Sequence, residues 1–281
     1  MHKNNTNCPI CNSSTHLEVK YDTWEVLRCN SCSHAFSENI SKKSAEIYDA
    51  NYFNKNWFLF PNLKLFRTIE ATISKEYGLG ARIHDLGCGN GNLLEYLSKK
   101  GYRNLYGSDI VSYLLPGLET KINFQQIGVL NIKDKNKYEV AISIANIEHL
   151  SDINSYMEKL REILVPGGIA IIYTINENAL IYSIAKIMRK FGFGFAARQL
   201  FDPHHVNHFN KRSLAQLAKK HEYQIISLKT INYPLKSTDV FLDSFLLRTL
   251  VLTGIFFTNL VSSFFKSEIS QLLVIRAKAC D

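Results

Sequence analysis

The chain has 281 residues, of which 46% are hydrophobic, 21% charged and 12% aromatic. So many Phe, Tyr and aliphatic side chains can bury a core, which excludes disorder as the main state. Only 14 Gly and 6 Pro exclude collagen-like and low-complexity classes. The net charge of +8 suits anionic partners (nucleic acid, an anionic membrane surface, phosphorylated small molecules) without choosing among them.

Residues 1–10 (MHKNNTNCPI) lack the apolar run of a secretory signal, which predicts a cytoplasmic chain. In a reducing compartment, paired cysteines argue for metal rather than disulfides. Cys8 and Cys11, then Cys29 and Cys32, form two C-x-x-C knuckles separated by seventeen residues. Each knuckle offers two thiolates from one tight turn, so two knuckles complete a tetrahedral four-sulfur zinc site. That set has no open position, so the zinc is expected to be structural, a staple for a module too small to fold alone. His34 then reads as a surface histidine rather than a ligand. LEVKY and EVLRC alternate like short strands, so residues 1–37 read as a zinc ribbon. Residues 38–80 read as a helical linker or cap, through AEIYDANYF (45–53) and NWFLFPNLKLFRTIEATISKEY.

From Ala81 the pattern becomes strand–turn–helix. ARIHDL predicts a strand, GCGNG a turn, and 92–100 a helix with Leu93, Leu94 and Leu97 on one face. NLYGSD predicts a second strand ending at Asp109, and 121–130 holds a third. YEVAISIA (138–145) has the continuous apolar character of a strand buried on both faces. A helix over 152–164 follows, capped by Asp152, with Ile153, Tyr156, Leu160 and Ile163 at core spacing. IAIIYTI (169–175) is a fifth strand; 223–232 and 269–277 supply the last two. The prediction is an α/β fold, a doubly wound, mostly parallel seven-stranded sheet over 81–281. Within it, 176–222 is a substrate-side insertion and 240–265 a hydrophobic helical excursion.

Asp85-Leu86-Gly87-Cys88-Gly89-Asn90-Gly91 lies where a strand ends and a helix begins. Glycines there let backbone approach a ligand closely. The spacing is G-x-G-x-G, not the dinucleotide G-x-G-x-x-G. Asp85 would repel a pyrophosphate yet suit an amine or sulfonium, and Asp109 can accept both hydroxyls of a ribose. A ligand with a ribose, an amino acid and positive charge is S-adenosylmethionine. HDLGCGNG, GSDI, YEVAISIANIEHL and VPGG, in this order, resemble the class I S-adenosylmethionine-dependent methyltransferases. The resemblance implies that Asp85, Gly87, Gly89 and Gly91 meet the methionine part, Asp109 the ribose, and Asn146 the pocket wall. It departs at Val129, where an acidic residue often meets the adenine. The ribbon followed by AEIYDANYF is similar to bacterial methyltransferases with a ribbon ahead of the catalytic domain. Many of those act on sugars in polysaccharide, lipopolysaccharide or antibiotic pathways.

An oxygen nucleophile must lose a proton, and histidine is the natural base near neutral pH. Glu148 and His149 follow the fourth strand, where open α/β sheets bind ligands; the alternative for His149 is a cap on the following turn. His204, His205 and His208 form a second group, in which His205 and His208 would face one way on a helical turn. Metal binding by this group finds no matching carboxylate spacing. Lys186, Arg189, Lys190 and Arg198 make a basic face, either solvated or meeting the phosphates of a nucleotide-sugar or lipid-linked sugar.

The stretch 249–265 is uncharged for seventeen residues, seven of them Thr, Ser, Asn or Gly, and the chain must return to the same sheet afterwards. It reads as helix packed on the domain, a homodimer surface, or a peripheral membrane contact. The expected function is methylation of an oxygen, less so a carbon, of a sugar or cell-surface precursor. The alternatives are an RNA methyltransferase, disfavoured because the ribbon carries few basic residues, and a non-catalytic cofactor-binding scaffold.

Overall fold

The computed structural model describes residues 6–38, 56–202, 204–232, 234 and 245–278. The segment 45–53, the start of the hydrophobic excursion (240–244) and Cys280 lie outside the described residues.

The amino-terminal part holds three strands, β1 (Thr15–Lys20), β2 (Glu25–Cys29) and β3 (Ala35–Glu38). After a single helical turn at Asn56–Leu59 comes α1 (Leu63–Glu76), capped by Asn62, whose side chain accepts from the Leu65 N–H. Next are β4 (Ile83–Leu86), α2 (Asn92–Lys99), β5 (Leu105–Asp109), β6 (Asn123–Gln126) and β7 (Tyr138–Ile144). Helix α3 (Ile153–Ile163) leads into β8 (Leu164–Ile175). Then come α4 (Leu180–Lys190), α5 (Phe195–Leu200), β9 (Asn207–His208), α6 (Lys211–Lys220) and β10 (Gln224–Ile231). The described chain closes with α7 (Phe245–Phe265) and β11 (Ser270–Arg276).

The large sheet has the order β10-β11-β8-β7-β4-β5-β6. Its pairings are parallel except at β11, which runs antiparallel to both β8 and β10. This is the α/β sheet that the strand–helix alternation predicts, including the final hairpin. Strand alternation divides the core into two layers. Val140, Ile142, Ile169, Ile171 and Tyr173 face one layer with Leu65, Ile69, Ile73, Leu93, Leu94 and Leu97. Ala141, Ala170 and Ile172 face the other, with Tyr156, Met157, Leu160, Leu214 and Leu217.

Strand β8 begins five residues ahead of the predicted start, because the register slips between Tyr138 and Val140 and takes in Pro166-Gly167-Gly168. Gly167 sits at φ +78°, and a Cβ on Gly168 would lie 2.9 Å from the Val165 carbonyl oxygen. Glycine is therefore required at this bulge.

The ribbon is not a separate bead. A second sheet has the order β1-β2-β3-β9, so a strand from the 176–222 insertion completes it. Cys8, Ile10, Cys29 and Cys32 share the core layer of α3 and α6. Val19, Trp24 and Val26 pack with Ala179, Tyr182 and Phe201 of the insertion.

Among the described residues no helix is long and apolar enough to cross a membrane. Helix α7 leaves Phe256, Phe257, Leu260, Val261, Phe264 and Phe265 exposed, while Ser262 is buried.

Candidate active site and metal centre

Strand β4 ends at Leu86 and the chain enters three left-handed glycines, Gly87 at φ +72°, Gly89 at +55° and Gly91 at +81°. L side chains rarely adopt this conformation, and here space is also absent. A Cβ on Gly87 would stand 2.8 Å from Asn146 Nδ2, and one on Gly91 2.3 Å from Leu118 Cδ2. The loop is tied to the end of β5: the Gly87 and Cys88 N–H groups donate to the Ser108 carbonyl at 2.8 and 3.0 Å. Gly89 N–H donates to Asp109 Oδ2 at 2.9 Å, and Val111 N–H to Oδ1 at 3.1 Å. The glycine bend and Asp109 are thus direct neighbours, although twenty residues apart.

Asp85 is 3% exposed, and its Oδ1 has no hydrogen-bond partner among the described residues. Burial, and next the charge of Asp109, push its carboxyl up to about 7. An orphaned buried carboxylate at a glycine bend has the chemistry of a seat for a cation.

Strand β7 is followed by Ala145 at φ +50°, a strained position for a residue with a side chain. Its N–H donates to the Tyr173 carbonyl at 2.9 Å, which aims Asn146 back at the bend. Asn146 Nδ2 donates to the Leu86 carbonyl at 3.1 Å, directly beside Gly87. Glu148 is 1% exposed and accepts from Thr174 Oγ1 at 2.8 Å; burial raises its carboxyl.

His149 is half-buried, and its Nδ1 lies 2.8 Å from the His204 carbonyl oxygen. A carbonyl only accepts, so Nδ1 carries a proton, and Nε2 makes no hydrogen bond among the described residues. Among the described residues its side chain makes no bond to the turn that follows it, the alternative the sequence leaves open. The His205 ring is 4.9 Å from that of His149, and burial, then His149, hold it well below the usual histidine range.

His208 departs from the expected arrangement. It lies in extended β9, not on a helical turn with His205, and the two rings are 6.4 Å apart. It is fully buried against Phe201, with Nε2 3.2 Å from Ser37 Oγ, and burial pushes it down to about 3. The three-histidine grouping therefore dissolves. Glu148, His149 and His205 instead bring one ligand-type atom each within 4.8 Å of one another. Glu148 and His149 are adjacent in sequence, but their meeting with His205 joins two loops that no local spacing connects.

The four cysteines converge as predicted. Cys8 and Cys32 sulfurs are 3.6 Å apart, Cys11 and Cys29 sulfurs 3.4 Å, and all four lie within 4.8 Å of one another. Tetrahedral zinc with Zn–S bonds of about 2.3 Å needs sulfurs about 3.8 Å apart. The Ser31 and Cys32 N–H groups both donate to Cys29 Sγ at 3.3 Å, the orienting contacts that a thiolate ligand needs. His34 is not on the surface: it is fully buried, its ring tilted against Phe209 and stacked with Phe36, and burial pushes it down to about 4. The reason is β9, which covers the ribbon edge.

The basic face divides. Lys186 is bound by Glu177 and by Glu18, so it serves structure. Arg189 lies over the Tyr21 ring and Arg198 over Trp24, beside a cavity of about 300 Å³ at the junction of ribbon and insertion.

The chain is 24% identical to a ubiquinone biosynthesis O-methyltransferase of Pelagibacter ubique, over 73% of this chain and 90% of that one. A protein of the same name from Rickettsia bellii is 28% identical over 43% of this chain and 52% of its own length. The fold matches the Burkholderia thailandensis 1,6-didemethyltoxoflavin-N1-methyltransferase, solved with 1,6-didemethyltoxoflavin and S-adenosylhomocysteine. That match has a TM-score of 0.54 and 12% identity, covering 94% of this chain and 99% of the other. The family model described as a methyltransferase domain matches residues 58–228, more than half of the chain. With that match on the bend, the sheet and the loop after β7, the chain belongs to the methyltransferase-domain family.

Proposed function

We propose that the chain moves a methyl group from S-adenosylmethionine to an oxygen of a small-molecule acceptor. The observation that carries this reading is the orphaned Asp85 carboxylate beside three left-handed glycines and Asp109. Asp85 would hold the cationic end of the cofactor and Asp109 its ribose, while the glycines, their own N–H groups taken by Ser108, Asp109 and Cys88, let the backbone come close to its methionine part. Asp109 already accepts two backbone N–H groups, and a carboxylate has lone pairs left for a diol. Asn146 would border the pocket.

When bound, the cofactor supplies an electrophilic methyl on a sulfonium. The chain's own work is alignment and proton removal. His149 Nε2 has no hydrogen-bond partner among the described residues and the ring is held in orientation by the His204 carbonyl, so it takes the hydroxyl proton as the acceptor oxygen forms its bond to carbon. His205 lies beside it and excludes water; enclosed His208 is structural in this reading.

The acceptor class we infer is a sugar or other cell-surface precursor, on the resemblance carried by the ribbon. The curated relatives, named for ubiquinone biosynthesis, support an oxygen acceptor and a small molecule. Zinc in the ribbon is structural. The apolar side chains that α7 leaves exposed suit a peripheral membrane contact, where a lipid-linked acceptor would be met.

The test is transfer of labelled methyl from S-adenosylmethionine into four separate pools: nucleotide-sugars, lipid extracts, quinone precursors and RNA. Label in a small-molecule pool supports the reading. Label in RNA alone, with binding that weakens steeply with salt, overturns it. His149→Ala is expected to keep cofactor affinity and lose turnover about a hundredfold or more. Unaltered turnover would move the base to His205.

A further inference from the structure

The ribbon reaches the candidate base through a short series of buried hydrogen bonds. β3 and β9 pair antiparallel, with Ala35 opposite His208 and Phe36 opposite Asn207. Ser37 N–H donates to the Val206 carbonyl at 2.8 Å, and Ser37 Oγ donates to the His205 carbonyl at 3.2 Å. The hydroxyl has one proton, so His208 Nε2, also 3.2 Å away, donates to Ser37 Oγ. On the other side, Asn207 Nδ2 donates to the Leu150 carbonyl at 2.6 Å, next to His149, while its Oδ1 faces His34 Nε2 at 3.2 Å. Asn210 Nδ2 adds a bond to the Ser33 carbonyl at 2.8 Å, one residue beyond the second knuckle.

Two backbone segments must be in register for His149 Nδ1 to meet the His204 carbonyl: the turn Ile147–His149 and the loop ahead of β9. Ser37 clamps that loop and Asn207 clamps that turn. Both are buried, at 5% and 2% exposure, together with His34 and His208 at 0%. His34 Nδ1 and His208 Nδ1 have no partner among the described residues. Burying four polar side chains and leaving two ring nitrogens unsatisfied is a poor way to stabilise an interface that apolar side chains could fill. It does fix one register of β9 against β3.

Resting on the reading of His149 given above, we propose that Ser37 and Asn207 are positioning residues for methyl transfer. Through them the ribbon edge holds the His204 carbonyl where it locks His149 with Nδ1 protonated and Nε2 bare. The ribbon edge then supports the candidate base from behind, through Ser37 and His34, without touching substrate.

The test uses the full-length protein with ¹⁵N-labelled histidine, in which two-bond proton–nitrogen spectra report which ring nitrogen carries the proton. The wild type is expected to show His149 as the Nδ1–H form; the Nε2–H form overturns the proposal at once. Ser37→Ala and Asn207→Ala are expected to give a mixture of both forms. They should also lower kcat about ten- to hundredfold, the size expected for misplacement of about 1 Å, with the Km for S-adenosylmethionine unchanged. Ser37→Thr, which keeps the hydroxyl, should restore the Nδ1–H form. Folded variants with an unchanged tautomer and unchanged kcat overturn the proposal. The two readings fail separately: full turnover in His149→Ala removes the base assignment, whatever the tautomer.

Discussion

Asp85 holds the sharpest consequence of the site. Its carboxyl is raised from the ordinary 3.8 to about 7, first by burial and then by Asp109. The folded chain therefore binds more protons than the unfolded chain between those two values, and stability falls as pH rises through that window. Below about pH 4 the carboxyl is neutral in both states and this charge contribution vanishes. Above about pH 7 the buried charge costs about 4 kcal/mol, from about 1.36 kcal/mol per pH unit. Asp85→Asn keeps the shape and removes the charge. The ligand-free variant is expected to gain up to about 4 kcal/mol over the wild type at pH 8, and nearly nothing at pH 4. Urea unfolding at both pH values measures this directly. Calorimetry with S-adenosylmethionine supplies the other half: the wild type should lose affinity about tenfold per pH unit below pH 7 as Asp85 protonates, and the variant should bind poorly throughout. A variant less stable than wild type at pH 8, or one that binds the cofactor normally, would refute the reasoning.

Asp109→Ala is expected to abolish cofactor affinity. The sequence alone casts it as a ligand contact, but Asp109 also holds the Gly89 and Val111 N–H groups. A destabilisation of about 1–3 kcal/mol should therefore appear in thermal unfolding. Gly87→Ala should push Asn146 off the bend and cost about 1–2 kcal/mol with weakened cofactor binding, measured by melting and calorimetry. Elemental analysis should find one zinc per chain. A strong chelator should release it and lower the melting temperature of the whole domain, because the ribbon cysteines share the core layer of α3 and α6. A chain without metal as purified would sink the ribbon assignment.

Much of the fold was legible because its signals are local. The helix over 92–100 shows its Leu93, Leu94 and Leu97 stripe, and Asp152 caps α3 through the Asn154 and Ser155 N–H groups. The glycine bend and Asp109 could be joined from sequence because parallel βαβ geometry returns each strand end to the same edge of the sheet. The knuckles could be joined because thiolate pairs have few other uses. What stayed hidden are contacts between segments far apart in the chain. β9 is only two residues long, too short to carry any alternation, and nothing in NH marks it as the partner of β3. That one pairing buries His34 and takes His208 out of the acceptor site. By the same pairing, in the proposal made above, the backbone carbonyl of His204, which the sequence offers only for its ring, decides which nitrogen of His149 can accept a proton. A sequence reading can name histidines as bases; only the strand register that presents a carbonyl to one ring nitrogen can say which of them is free to act.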